Sequence, residues 1–303
     1  GFTTSSAGYV KLLFNQTESS TLTQAAPFDF DGDGKTDISV FRPSLGEWWI
    51  ARSGNAGVFA AQFGASADKV AAADYTGDGK ADIAVWRPSN GFWLVLRSED
   101  LTYYAFPFGT SGDVPVPADY DADGKADAAV FRPTGSIWYV RRSSDSQTSI
   151  TQFGSAGDRP VAADYDGDGK ADIAIFRPVG AIGAEWWIAR STGGTYAATF
   201  GSSADLTAAG DWTGDGKADI AFWRPSTGMW YVLRSEDMSF YAFPFGTNGD
   251  VPSPGDYDGD GKFDAAVFRQ PGSQWFVARS GGGTLITQFG ASGDTPVPSA
   301  YVR

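Results

Sequence analysis

Six stretches of nine residues gather carboxylates at fixed spacing, and they are the part of the chain best equipped for chemistry. In four of them aspartate stands at positions 1, 3, 5 and 9 and lysine at position 7. These are Asp29, Asp31, Asp33, Asp37 with Lys35; Asp119, Asp121, Asp123, Asp127 with Lys125; Asp164, Asp166, Asp168, Asp172 with Lys170; and Asp256, Asp258, Asp260, Asp264 with Lys262. The second and fifth stretches carry Thr76 and Thr213 at position 3, leaving Asp74, Asp78, Asp82 with Lys80 and Asp211, Asp215, Asp219 with Lys217. Side chains at 1, 3, 5 and 9 together with the backbone carbonyl of 7 offer many oxygens to one point, which suits calcium rather than zinc. The last carboxylate falls at position 9 rather than 12, and strand-like rather than helical sequence flanks the loop, so this is not an EF-hand. Without a cation the loop would be a solvated acidic turn in which crowded carboxylates repel. The expectation is up to six calcium ions, with weaker sites at 74–82 and 211–219.

The formal charge of −13 is explained by the same residues, because the loops hold 22 of the 36 acids. Six divalent ions would bring the chain close to neutrality, so its acidity belongs to metal sites rather than to a field that steers a basic partner. An acidic chain does not suit nucleic acid. The absence of histidine removes the Ser-His-Asp triad and the commonest zinc ligand, and the absence of cysteine removes disulfides and thiolate sites. No apolar run approaches the ~20 residues of a membrane helix.

The elements that position the loops are legible from their period. Successive loops start 45, 45, 45, 47 and 45 residues apart. After each comes an apolar run ending in arginine (Arg42, Arg87, Arg132, Arg177, Arg224, Arg269) and then a tryptophan column (Trp48, Trp93, Trp138, Trp186, Trp230, Trp275). An Arg-Ser pair follows each of these tryptophans, and a final run closes on Phe-Gly. In the second repeat the strands fall at 69–74, 82–87, 92–97 and 102–106, rich in Val, Trp, Tyr and Phe. Four strands per ~45 residues is the spacing of a β-propeller blade. The predicted fold is therefore an all-β propeller occupying 1–303 as one domain. In it 1–23 supplies closing strands (8–14 and 20–24), 24–294 the six repeats and 295–303 a C-terminal closing strand. Thr295–Tyr301 keeps the consensus of the strand entering each loop, although Ala300 replaces the first aspartate. A split seventh blade built from both ends is favoured over six blades.

The loop Asp164–Asp172, the Ile-Ala-Ile-Phe-Arg-Pro run after it and the Phe-Gly step resemble the FG-GAP/VCBS repeat, the blade of integrin α-subunit propellers and of many bacterial surface proteins. The resemblance covers about residues 24–300. It implies a loop that joins the first two strands of a blade and holds calcium. It also implies an extracellular setting, since such loops fill where free calcium is plentiful. Fungal lectins that bind N-acetylglucosamine between propeller blades are similar in architecture, but their pocket residues do not map one by one onto this chain.

A second periodicity overlies the first. Arg97-Ser-Glu-Asp-Leu-Thr-Tyr-Tyr-Ala-Phe-Pro-Phe108 returns three repeats later as Arg234-Ser-Glu-Asp-Met-Ser-Phe-Tyr-Ala-Phe-Pro-Phe245, and Trp48-Trp49 returns as Trp186-Trp187. Features in every repeat hold blades together; residues that differ between repeats are better candidates for a ligand. Trp49 and Trp187 point away from the tryptophan column. Glu99, Tyr103 and Tyr104, with their counterparts Glu236, Phe240 and Tyr241, lie at the turn from third to fourth strand. Aromatic faces with carboxylate acceptors suit sugar stacking and hydroxyl hydrogen bonds. The expected function is a secreted or cell-surface recognition module, monomeric, lectin-like in binding glycans. A protein-binding adhesion module is the alternative. A polysaccharide lyase or glycoside hydrolase is less favoured, because the non-loop glutamates Glu47, Glu99, Glu185 and Glu236 come as duplicated pairs whereas catalytic sites are usually single.

Overall fold

The computed structural model describes residues 26–180 and 183–302. Among the described residues there are six four-stranded antiparallel sheets. Blade two is built in spatial order from Lys69–Val70, Ile83–Arg87, Phe92–Leu96 and Tyr103–Pro107, close to the strands read from sequence. The acidic loop 74–82 joins its first two strands. The other blades repeat this plan.

Each strand has the burial its sequence dictates. The second strand, Ile83-Ala-Val-Trp-Arg, is buried at four consecutive positions, which requires cover on both faces by neighbouring blades. The third alternates, burying Trp93 and Val95. The fourth is an edge strand with every other residue exposed. The Phe-Gly step is fixed by the tryptophan column: Trp48 Nε1–H donates to the Phe63 carbonyl at 2.8 Å and Trp93 Nε1–H to that of Phe108 at 2.9 Å. Gly46 must be glycine, because a Cβ there would lie 2.5 Å from the Gly64 carbonyl oxygen.

Among the described residues the expected seventh blade is not formed. Strand Thr295–Pro296 pairs with Ile38–Arg42 and completes blade one, whose other strands are Glu47–Ala51 and Val58–Gln62. The C-terminal segment keeps its consensus because it is the innermost strand of the first blade. Its chemistry matches: Arg42 Nε–H donates to Asp294 at 2.8 Å, as Arg87 does to Asp68 within blade two at 2.9 Å. The loops close the same ring. Ala81 N–H donates to the Asp29 carbonyl of the preceding blade, and Thr36 N–H donates to Asp256 of blade six, both at 2.6 Å. Six buried apolar clusters among the described residues lie one at each blade junction, the last joining Ile38 and Val40 to Phe268 and Trp275. The strands expected within 1–23 lie outside the described residues.

Candidate metal centres and inter-blade crevices

Each acidic loop is wound around its first aspartate. In blade one Asp29 accepts the backbone N–H groups of Gly32 (2.6 Å), Gly34 (2.7 Å) and Asp31 (3.2 Å). Gly32 and Gly34 adopt positive φ to aim those groups. Asp37, with no exposed surface, accepts the N–H of Phe30 at 2.9 Å and of Ser53 at 2.7 Å. Burial pushes its carboxyl up to about 6, against the pull of those donors. Asp33 accepts Lys35 N–H and the Ser53 hydroxyl, at 3.0 and 2.8 Å. Serine of the Arg-Ser pair therefore locks the turn between third and fourth strands onto the loop. The same serine bonds recur at Ser98, Ser143, Ser191, Ser235 and Ser280. That role was open to sequence reasoning, since the pair stands at fixed distance from every column tryptophan.

Position 3 is different. Asp31 Oδ1, Asp121 Oδ1, Asp166 Oδ1 and Asp258 Oδ1 are buried without a hydrogen-bond partner, and so are Thr76 Oγ1 and Thr213 Oγ1. A buried acceptor left unpaired costs about 1–3 kcal/mol unless something occupies it. Carboxylate oxygens also converge there: Asp29, Asp31 and Asp33; Asp119, Asp121 and Asp127; Asp164, Asp166 and Asp172; and Asp256, Asp258 and Asp260 each bring theirs within 4.8 Å of one another. An all-oxygen donor set around an orphaned buried oxygen fits a hard divalent cation. The position 7 lysine side chains lie elsewhere, across the preceding loop: a Cβ on Gly32 would meet Lys80 Cε at 3.0 Å, and one on Gly259 would meet Lys35 Cε at 3.1 Å.

FG-GAP-like repeats match residues 29–85, 74–130, 119–175 and 211–267, and an FG-GAP repeat matches 156–196. The chain belongs to the FG-GAP repeat family. Each longer window runs from one loop into the second strand of the next blade, so the FG-GAP repeat in sequence is offset from the blade in space. No curated protein matches the chain. Among solved structures, TolB from Acinetobacter baumannii is similar at TM-score 0.59 and 18% identity, over 90% of this chain and 68% of that one. Virginiamycin B lyase from Staphylococcus aureus is similar at TM-score 0.52 and 6% identity, over 85% of each chain. At such identities the likeness is one of fold alone.

The candidate ligand residues separate into distinct places. Trp49 and Trp187 lie half-buried in blade junctions, each with an arginine (Arg42, Arg177) 5.4 Å from the ring centre and its indole N–H on Glu47 or Glu185. Tyr139, Tyr231 and Phe276 occupy the same position under Arg132, Arg224 and Arg269, which makes it a packing column. Tyr104 and Tyr241 are covered on one side by Arg97 and Arg234 at 5.1 Å, and stack at 6.0 Å on Phe106 and Phe243. Tyr103 and Phe240 instead face solvent, 69% and 65% exposed, edge-on to Phe63 and Phe200 of the preceding blades. Glu99 and Glu236 are exposed, each next in sequence to the serine that bonds the acidic loop of its blade. A crevice of about 190 Å3 between blades four and five was not legible beforehand. Its walls include Tyr196, Arg190 and Asp166 from one blade, and Lys217, Arg234 and Met238 from the next.

Proposed function

We propose that this FG-GAP propeller is a calcium-stabilised recognition module that works outside the cytosol and binds carbohydrate between its blades. The carrying observation is the crevice between blades four and five, where two tyrosines, three cationic side chains and a carboxylate line a hollow of about 190 Å3. Hydroxyl-rich ligands use such a mixture, with rings for C–H faces and charged groups for hydroxyls. Phe240 adds an exposed ring between the same two blades. The lining has counterparts between blades one and two: Asp31, Arg52, Phe59, Lys80, Arg97 and Leu101. Two weak sites on one chain would raise avidity for multivalent glycans. Calcium at the acidic loops is supported by the family and by the orphaned oxygens at position 3. Since all six junctions are satisfied within the chain, a monomer suffices.

A glycan array probed in calcium with the native protein and with Tyr196→Ala/Phe240→Ala tests this. The expected result is selective binding by the native chain and its loss in the variant, with melting temperature kept. Binding to no glycan, or equal binding by the variant, would sink the carbohydrate reading. A protein-binding role would then lead, favoured by the exposed apolar residues Val58, Tyr103, Ile150, Phe240 and Ile286 on five outermost strands.

A further inference from the structure

The two loops that lack an aspartate at position 3 sit under the two turns that carry a glutamate. The residue after the Arg-Ser pair is Gly54, Ser144, Thr192 or Gly281 above the four-carboxylate loops, and Glu99 or Glu236 above the loops with Thr76 and Thr213. In the first group that residue reaches position 3 directly. Gly54 N–H and Gly281 N–H donate to Asp31 and Asp258, each at 3.1 Å, and the Ser144 and Thr192 hydroxyls donate to Asp121 and Asp166. A side chain at this place projects into the carboxylates: a Cβ on Gly54 would lie 3.1 Å from Asp31 Oδ2 and from Asp33 Oδ2, and one on Gly281 2.8 Å from Asp258 Oδ2.

The turns of blades two and five hold the same register. Arg97 N–H bonds to Thr102 and Leu101 N–H to Arg97, matching Arg142 to Gln147 and Ser146 to Arg142 in blade three; Arg234 to Ser239 and Met238 to Arg234 repeat it in blade five. The Ser98 and Ser235 hydroxyls sit on Asp78 and Asp215 at 2.9 and 2.6 Å, tying the turns that carry the glutamates to the loops. Neither glutamate has a hydrogen-bond or ion-pair partner among the described residues. Below them Thr76 Oγ1 and Thr213 Oγ1 are buried and unpaired. Shortening position 3 from aspartate to threonine removes a carboxylate and makes room, and the turn supplies a longer acid in the same two blades.

We infer that Glu99 and Glu236 are cation ligands that replace the missing aspartates, giving the second and fifth loops a full set of four carboxylates drawn from two segments of each blade. The inference rests on the calcium reading of the loops. It gives the repeated Arg-Ser-Glu-Asp turn a metal-binding role, distinct from any role in holding sugar.

Calcium per chain, counted by equilibrium dialysis, decides it. The native protein should bind six ions of comparable affinity, and Glu99→Gln/Glu236→Gln should bind four. Adding Thr76→Asp and Thr213→Asp to that variant should restore six, which a structural role for the glutamates would not do. Circular dichroism in calcium confirms that each variant is folded. Four ions on the native chain, or six on the glutamine variant at unchanged affinity, would overturn the inference while leaving calcium at the other loops intact. No ion on the native chain would overturn the calcium reading and this inference together.

Discussion

An aspartate with almost no exposed surface, bonded by two backbone N–H groups, recurs at Asp37, Asp82, Asp127, Asp172, Asp219 and Asp264. Burial pushes all six up to about 6, above the ordinary 3.8. A folded-state value above the unfolded one means that the folded protein binds the extra protons. In the metal-free chain this stabilisation is full below about pH 4 and is lost as pH rises through 6. In chelator the protein should therefore melt at higher temperature at pH 5 than at pH 7.5. Calcium at pH 7.5 should reverse the loss by taking the place of the proton. A metal-free melting temperature that is flat or rises between pH 5 and 7.5 would show that these aspartates stay charged without help. The carboxylates were legible as a spacing in the sequence. Their unequal roles were not, because which oxygen takes a backbone N–H and which stays orphaned depends on how the loop winds.

At the scale of the strand, every blade ties its second strand to the turn before its first through one ion pair. Asp68, its side chain 1% exposed, takes Arg87 at 2.8 Å and also accepts the N–H of Ala65. Removing the arginine leaves a buried carboxylate uncompensated, so Arg87→Ala should cost about 3 kcal/mol. Arg142, paired with Asp145 on an open turn with both side chains more than a third exposed, should cost less than about 1 kcal/mol when replaced by alanine. Chemical denaturation of the two variants compares them directly, and equal losses would place the stabilisation elsewhere. The strands themselves were readable because apolar runs, turn glycines and tryptophans return at one period. Relations between strands of different repeats were not. Tyr103 was visible as an aromatic residue beside the third-to-fourth turn, yet its edge-on contact with Phe63 of the preceding blade follows only from how the blades pack. The crevice at Tyr196 and Met238 likewise joins residues of two repeats, linked by the tyrosine hydroxyl and the thioether sulfur 3.1 Å apart.

For the whole molecule the decisive question is what turns a row of blades into a ring. Blades in a row interact only with their neighbours, and the first and last would each leave an apolar face open. Here the last strand of the chain returns to blade one, and Asp294 finds Arg42 across 252 residues of sequence. The consensus at 295–301 reads as a closing strand of a new blade, since nothing in its local sequence says which blade it joins; only Thr295–Pro296 is strand, and it completes blade one. Removing residues 291–303 tests the closure. It takes away the innermost strand of blade one, the partner of Arg42, the fully buried Val297, and Tyr301, which stacks on Phe28 and bonds Ala72. The acidic loops remain, as does the Thr36–Asp256 bond between first and last blades. The truncated chain should unfold at lower temperature and over a broader range, with early proteolytic cuts in blade one, and calcium should not restore the native transition. If calcium does restore it, the ring of loops rather than the returning strand holds the propeller closed.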